Sequence, residues 1–241
     1  MPQTYTTVLF DADDTLLDFH KAERMALRQV LLSFGITPTD EMMDRYSVIN
    51  AGLWHAFERG EVTKEQIKSE RYRRLFAEYG VGQGLDTRAV SDRYLEYLSA
   101  GGYLLDGAAA LCNALKDAGY DLYVITNGVP RTQYLRLEHS GLMPLLSGVF
   151  VSEDVGAQKP FKAFFDYALS HITERDMQNV LVVGDSLGSD IQGAANVGLD
   201  CVWFNPKQKP NDRALPVTFE AQSLAQIASW LGVELKERGA Q

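Results

Sequence analysis

Four carboxylates crowd the end of an apolar run in VLFDADDTLLDF, residues 8–19: Asp11, Asp13, Asp14 and Asp18. A segment that reads as a buried strand should not end in so much like charge unless something compensates it. Other apolar runs end in groups that can do chemistry. One delivers Thr126, Asn127 and Gly128, another leads to a loop with Lys159 before Pro160, and a third ends in GDSLGSD, with Asp185 at the strand end and Asp190 beyond. In parallel sheets, ligand sites form outside the carboxyl ends of the strands, so these groups are expected on one edge. Two ionised carboxylates ~5 Å apart repel by about 3 kcal/mol at an effective dielectric near 20. Several such pairs would push pKa values towards neutrality. A divalent cation and an ammonium reverse that outcome. Carboxylates with room for waters and a phosphate suit Mg²⁺, so the cluster Asp11, Asp13, Asp185 and Asp190 implies a metal site with Lys159 as a second positive charge.

Each residue also has a plainer reading. Asp11 and Asp13 could be turn or cap residues, GDSLGSD a glycine-rich strand-to-helix turn, Lys159 a solvated loop lysine and Thr126 a strand terminus. Their joint placement argues against this, except for Asp14 and Asp18, which are assigned to local turn and capping roles.

Such a site needs strands to carry it. Short runs rich in β-branched and aromatic residues recur at TTVLF (6–10), DLYVIT (121–126), GVFVS (148–152), NVLVV (179–183) and DCVWF (200–204). From residue 107 they alternate with helical segments such as Gly107 to Ala118, whose Ala110, Leu111, Ala114, Leu115 and Ala118 share a face. Near-continuous apolar strands alternating with helices imply a parallel sheet covered on both sides. Residues 20 to 100 differ, with helical periodicity and no strand. Leu27, Val30, Leu31 and Phe34 form one stripe, Tyr72, Leu75, Phe76 and Tyr79 a second, and Val90, Tyr94, Tyr97 and Leu98 a third. TKEQ (Thr63 to Gln66) has the form of a capping box. An all-helical insert after the first strand reads as a cap domain, with Tyr46, Trp54 and Phe57 in its core. The proline-bearing NPKQKPNDRALPV (205–217) reads as a surface loop and LKERGAQ as a frayed tail.

The chain has 241 residues, 46% hydrophobic and 23% charged, with a net charge of −9. That composition allows a sizeable core. The acidic balance argues against nucleic-acid polymers and anionic membranes as partners, but not against a small anion at a locally positive site. Cys112 and Cys201 lie in apolar segments without CxxC spacing and read as reduced core residues. His20, His55, His139 and His171 show no ligand spacing and are placed on the surface or cap, with His20 near enough to the first motif to face a substrate. No signal peptide or membrane-length apolar run is evident, so a cytoplasmic location is expected.

DADDT, ITNG, the lone lysine in QKP and GDSLGSD, in that order, resemble the four motifs of the haloacid dehalogenase-like hydrolase superfamily. The resemblance spans residues 8–205 and puts the helical insert where that family carries a C1-type cap. It implies an α/β, Rossmann-like parallel core from 1–16 and 105–241 and a cap from 17–104. It also implies roles. Asp11 would be the nucleophile, forming an aspartyl-phosphate, and Asp13 the general acid and then base. Thr126, Asn127 and Gly128 would hold phosphoryl oxygens while Lys159 offsets negative charge. Mg²⁺ would sit on Asp11, Asp185 and the Asp13 carbonyl, with Asp190 as a nearby ligand or lysine partner. An acid at Asp13 fits a phosphate ester, whose leaving oxygen needs a proton, whereas an alkyl halide needs none.

DADDTLLDF, LWHAFERGEVT, ITNG with QYLRLEHSGL, and VSEDVGAQKPFKAFFDYAL further resemble the pyrimidine 5′-nucleotidase subgroup. The implied substrate is a nucleoside monophosphate, with Phe19 placed either against a flat base or as a linker anchor on the cap. A sugar-phosphate phosphatase, a phosphoglucomutase-like enzyme and a non-catalytic binding protein are the alternatives. A monomer or homodimer acting on a small phosphate monoester is expected.

Overall fold

The computed structural model describes residues 5–235; the expected frayed tail, apart from Leu235, lies outside the described residues. Strands β1 (Thr7–Phe10), β2 (Asp121–Thr126), β3 (Gly148–Val151), β4 (Val180–Gly184), β5 (Asp200–Phe204) and β6 (Phe219–Ala221) form one sheet in the order β3-β2-β1-β4-β5-β6. Every neighbouring pair is parallel. The five expected strands appear within a residue of their expected limits. β6 is an addition, a three-residue edge strand whose Phe219-Glu220-Ala221 carries too little pattern to read without its partner.

Alternation within each strand shows why the runs are apolar throughout. Val8, Phe10, Leu122, Val124, Leu181 and Val183 face a core closed by α5 (Ala108–Asp117) and α10 (Leu224–Trp230). Leu9, Tyr123, Ile125, Val180, Val182 and Trp203 face the opposite core, closed by α8 (Lys162–His171) and α9 (Gln192–Val197). Both faces are buried, as a parallel sheet requires. Cys112 and Cys201 are buried and unpaired, one in each core.

Helices α1 (Phe19–Ser33), α2 (Asp40–Glu58), α3 (Lys64–Tyr79) and α4 (Thr87–Ser99) share a third hydrophobic cluster of their own. Asp18 caps α1 by accepting from Lys21 N at 2.9 Å, and Asp14 stands in a left-handed turn at φ 60°. Thr63 and Gln66 form the reciprocal capping box that opens α3. Tyr46 and Phe57 are core residues of the cluster, whereas Trp54 is only partly buried and stacks edge-on against Phe57.

The chain enters and leaves this helical segment side by side. Asp18 N donates to Tyr103 O at 2.9 Å and Leu105 N donates to Leu16 O at 3.0 Å. Among the described residues no helix is long and apolar enough to cross a membrane.

Candidate active site

From β1 the chain runs through β2 to β3 on one side of the sheet, then returns to β4 on the other side of β1. Connections therefore diverge beyond the carboxyl ends of β1 and β4, leaving a crevice there. Asp11 follows β1, Asp185 follows β4 and Thr126 ends β2. Lys159 lies in the connection between α7 (Ser152–Val155) and α8.

Lys159 is only 1% exposed, and its ammonium reaches three acceptors. Nζ donates to Asp11 Oδ1 and Asp190 Oδ1, both at 2.7 Å, and to the Ile125 carbonyl at 2.8 Å. Asp190 uses its second oxygen to accept from Ser186 N at 3.1 Å, so both of its oxygens are engaged and it acts as the lysine's anchor. Asp190 can tuck beneath the strand end because residue 184 is glycine. A Cβ there would stand 2.3 Å from the Asp190 carboxylate. Gly184→Ala is therefore expected to lower stability by about 1–3 kcal/mol through overpacking and to reduce turnover by displacing Asp190 from Lys159. A melting curve and a rate assay on the same preparation check both effects.

The electrostatics of the cluster are unbalanced. Burial disfavours the Lys159 ammonium, but the Asp11 and Asp190 carboxylates outweigh it and raise the pKa above the usual lysine value. Burial pushes the Asp11 carboxyl up, Lys159 pulls it back, and Asp190 and Asp13 push it up again, leaving it at about 8. Burial and then the Asp11 and Asp190 charges raise Asp185 well above the carboxylate range. One ammonium among three carboxylates thus keeps its own proton firmly, while the carboxylates lack positive charge. The donor set fits a hard cation. One oxygen each from Asp11, Asp185 and Asp190 lies within 4.8 Å of the others, near the roughly 4 Å spanned by opposite ligands of Mg²⁺. Among the described residues no hydrogen-bond donor reaches the Asp185 carboxylate, so it is free to bind such an ion.

Asp13 points elsewhere. Its carboxylate accepts from Gln133 Nε2 at 2.9 Å and from Arg136 Nη1. Both donors lie on α6 (Pro130–His139), the helix that follows the ITNG segment. Arg136 is fully buried, also donates to Gln133 Oε1 and Gly101 O, and lies 5.6 Å from the Phe19 ring centre. Phe19 thus both anchors the linker on this guanidinium and lines the cavity. Thr126 Oγ1 accepts from Gly128 N at 3.1 Å and from Gln133 Nε2 at 2.7 Å. Gly128 permits this approach, since a Cβ there would meet Gln133 at 2.6 Å. The Asn127 side chain bonds in both directions with the Lys159 backbone, at 2.9 Å each, so it fixes the lysine loop and leaves ligand contact to the backbone.

Gln133 and Arg136 fall within QYLRLEHSGL, but the resemblance of that stretch assigns them no role. Polar residues at helical spacing normally read as a solvated face, and only their contacts reveal them as buried partners of Asp13. The helical segment adds contacts whose partners lie on the sheet side. Lys64 Nζ donates to Gly128 O, Ser152 Oγ and Glu153 Oε1 at 2.8–3.0 Å. Glu58 Oε1 accepts from Ser186 Oγ at 3.0 Å. These bonds hold the helices over the sheet edge and enclose a cavity of about 230 Å³ running from Asp11 and Asp185 up between α1, α2 and α3. His20 is exposed at its rim, 3.5 Å from Asp14.

Fold and site together define an α/β protein with a carboxylate-lined cavity between its sheet edge and a helical roof. The sequence match is more specific: residues 5–198 match the haloacid dehalogenase-like hydrolase family, and the chain belongs to that family. It is 36% identical to the pyrimidine 5′-nucleotidase PynA of Streptococcus pneumoniae, covering 97% of this chain and 98% of that protein. It is 32% identical to the pyrimidine 5′-nucleotidase YjjG of Escherichia coli, over 93% and 96%. The crystal structure of the HAD-hydrolase YfnB from Bacillus subtilis bound to magnesium matches with a TM-score of 0.90 at 42% identity, covering 95% of this chain and 99% of that one.

Proposed function

We propose that this hydrolase is a Mg²⁺-dependent 5′-nucleotidase for pyrimidine nucleoside monophosphates, acting through an aspartyl-phosphate on Asp11. The observation that carries the reading is the shortage of positive charge where Asp11, Asp185 and Asp190 gather and Lys159 bonds only Asp11 and Asp190 among them. A dication and a phosphoryl group together complete such a site. The two nucleotidase relatives support the substrate class, and the magnesium in YfnB supports the choice of ion.

In this reading Asp11, Asp185 and the Asp13 carbonyl would hold Mg²⁺, which when bound would supply positive charge to the transferring phosphoryl group. Lys159 holds one Asp11 oxygen and leaves the other to attack phosphorus. The new O–P bond forms as the ester P–O bond breaks, and Asp13 gives its proton to the departing ribose oxygen. Asp13 then takes a proton from water, whose oxygen attacks phosphorus and frees Asp11 and phosphate. Gln133 and Arg136 orient Asp13, while Thr126 and the backbone of Asn127 and Gly128 receive phosphoryl oxygens. Catalysis is then positioning and charge neutralisation. The helices of 17–104 act as a cap that excludes water, and the Lys64 and Glu58 bonds hold it closed.

Phosphate release from a panel of mononucleotides and sugar phosphates, with and without Mg²⁺, tests the assignment. Pyrimidine monophosphates should be turned over fastest, and chelation should abolish the activity. Faster turnover of sugar phosphates, or a rate indifferent to chelation, would reject it. Asp13→Ala should slow nucleotide hydrolysis by about 10²–10⁴-fold, the usual contribution of a general acid. It should slow p-nitrophenyl phosphate far less, because that leaving group needs little protonation. Equal slowing of both substrates would remove Asp13 from the acid role.

A further inference from the structure

We propose that Glu23, Asn50 and Arg71, buried in the helical cap, read the hydrogen-bonding edge of the nucleotide base. The inference rests on the nucleotidase assignment and specifies which residues choose the substrate. The three side chains are 2%, 1% and 4% exposed, yet they line the same cavity as Asp11. Charged groups inside a small helical bundle are unfavourable unless fully paired. Glu23 also accepts from Ser47 Oγ, yet it makes no direct contact with Arg71.

Instead Asn50 stands between them. Its Nδ2 donates to Glu23 Oε1 at 2.7 Å, and its Oδ1 accepts from Arg71 Nη1 at 3.5 Å, the limit of a hydrogen bond. Arg71 Nη2 donates to Ser91 Oγ at 3.0 Å, and Nε has no partner. Among the described residues no carboxylate forms an ion pair with this guanidinium. Its position is nevertheless fixed, 4.6 Å from the ring centre of Tyr94 and 5.0 Å from that of Tyr72. The result is a row of anion, amide and cation, held rigidly and short of acceptors at its cationic end.

A flat group with carbonyl acceptors beside an N–H donor complements such a row, and the edge of a uracil or thymine base has that arrangement. Ribose hydroxyls would need no fixed cation. Trp54 and Phe19 in the same cavity wall offer aromatic faces to the ring. The phosphate end of the ligand lies at Lys159 and Asp11, so the two ends of the cavity would recognise the two ends of one molecule.

Three substrates give the test: UMP, its N3-methyl derivative and ribose 5-phosphate. Methylation removes the edge N–H, and a site built to bond that edge should then lose about tenfold or more in kcat/KM. In Glu23→Gln and Arg71→Gln, the ratio of kcat/KM for UMP to that for ribose 5-phosphate should fall by about ten- to a hundredfold, the range for a lost hydrogen bond to a charged group. Equal turnover of UMP and its N3-methyl derivative overturns the proposal, as does an unchanged ratio in folded variants. The methylation comparison uses the unaltered protein and so decides the matter even if a variant fails to fold. Ribose 5-phosphate turned over as well as UMP by the unaltered protein would refute the nucleotidase assignment itself, a separate result.

Discussion

Asp11→Asn is expected to abolish turnover, by roughly 10⁴-fold or more, while the protein melts within about 3 °C of its normal temperature. The loss follows from the chemistry, since an amide oxygen cannot form the covalent intermediate and knocking out a nucleophile removes most of the rate enhancement. The small thermal effect follows from the geometry. Lys159 keeps Asp190 and the Ile125 carbonyl as partners, and the cluster loses one of its excess negative charges while its shape is kept. Phosphate release with UMP and a melting curve measure the two effects. Turnover remaining above about one hundredth of normal would take Asp11 out of the nucleophile role, because a residue that only binds the ion would leave such a remainder.

Lys159→Met should act in the opposite way, on the fold as much as on the rate. The lysine is the sole side-chain cation within bonding distance of Asp11 and Asp190 among the described residues. Removing one partner of a buried ion pair typically destabilises by about 3–5 kcal/mol, because the other charge is left uncompensated. For a chain of this size that corresponds to a fall of roughly 6–20 °C in melting temperature. Added Mg²⁺ should recover more of that loss in the variant than it adds to the normal protein, since the ion would replace the missing charge. A melting temperature that is unchanged, or that is unaffected by Mg²⁺ in both proteins, would contradict the picture of carboxylates short of positive charge.

The core of the site was legible in the sequence because strands in a parallel sheet are marked twice. The apolar run announces the strand, and its polar end announces what the strand presents. Asp11, Thr126 and Asp185 stand where those ends place them, and Lys159 meets Asp11 although 148 residues separate them. What stayed hidden were polar residues whose burial depends on another element. Gln133 and Arg136 fall in a stretch noted only for its resemblance, and only the Asp13 carboxylate and the Gly101 carbonyl opposite them show that this face of α6 is an interior one. Glu23, Asn50 and Arg71 pass for surface residues of three different helices until those helices are packed. β6 pairs with only one neighbour among the described residues, and the helical turn of π type at Leu187–Ile191 is closed by Ile191 N donating to Ser186 O at 3.2 Å. Neither has a periodicity of its own.

The hydrogen bonds between Leu16 and Leu105, and between Asp18 and Tyr103, mean that the helical segment is one excursion that departs from and returns to nearly the same point. Insertions with adjoining ends are the kind a host fold tolerates. Lengthening, trimming or exchanging the excursion therefore imposes little strain on the strands beneath, and the apparatus that cleaves a bond can stay fixed while the repertoire of molecules presented to it diverges.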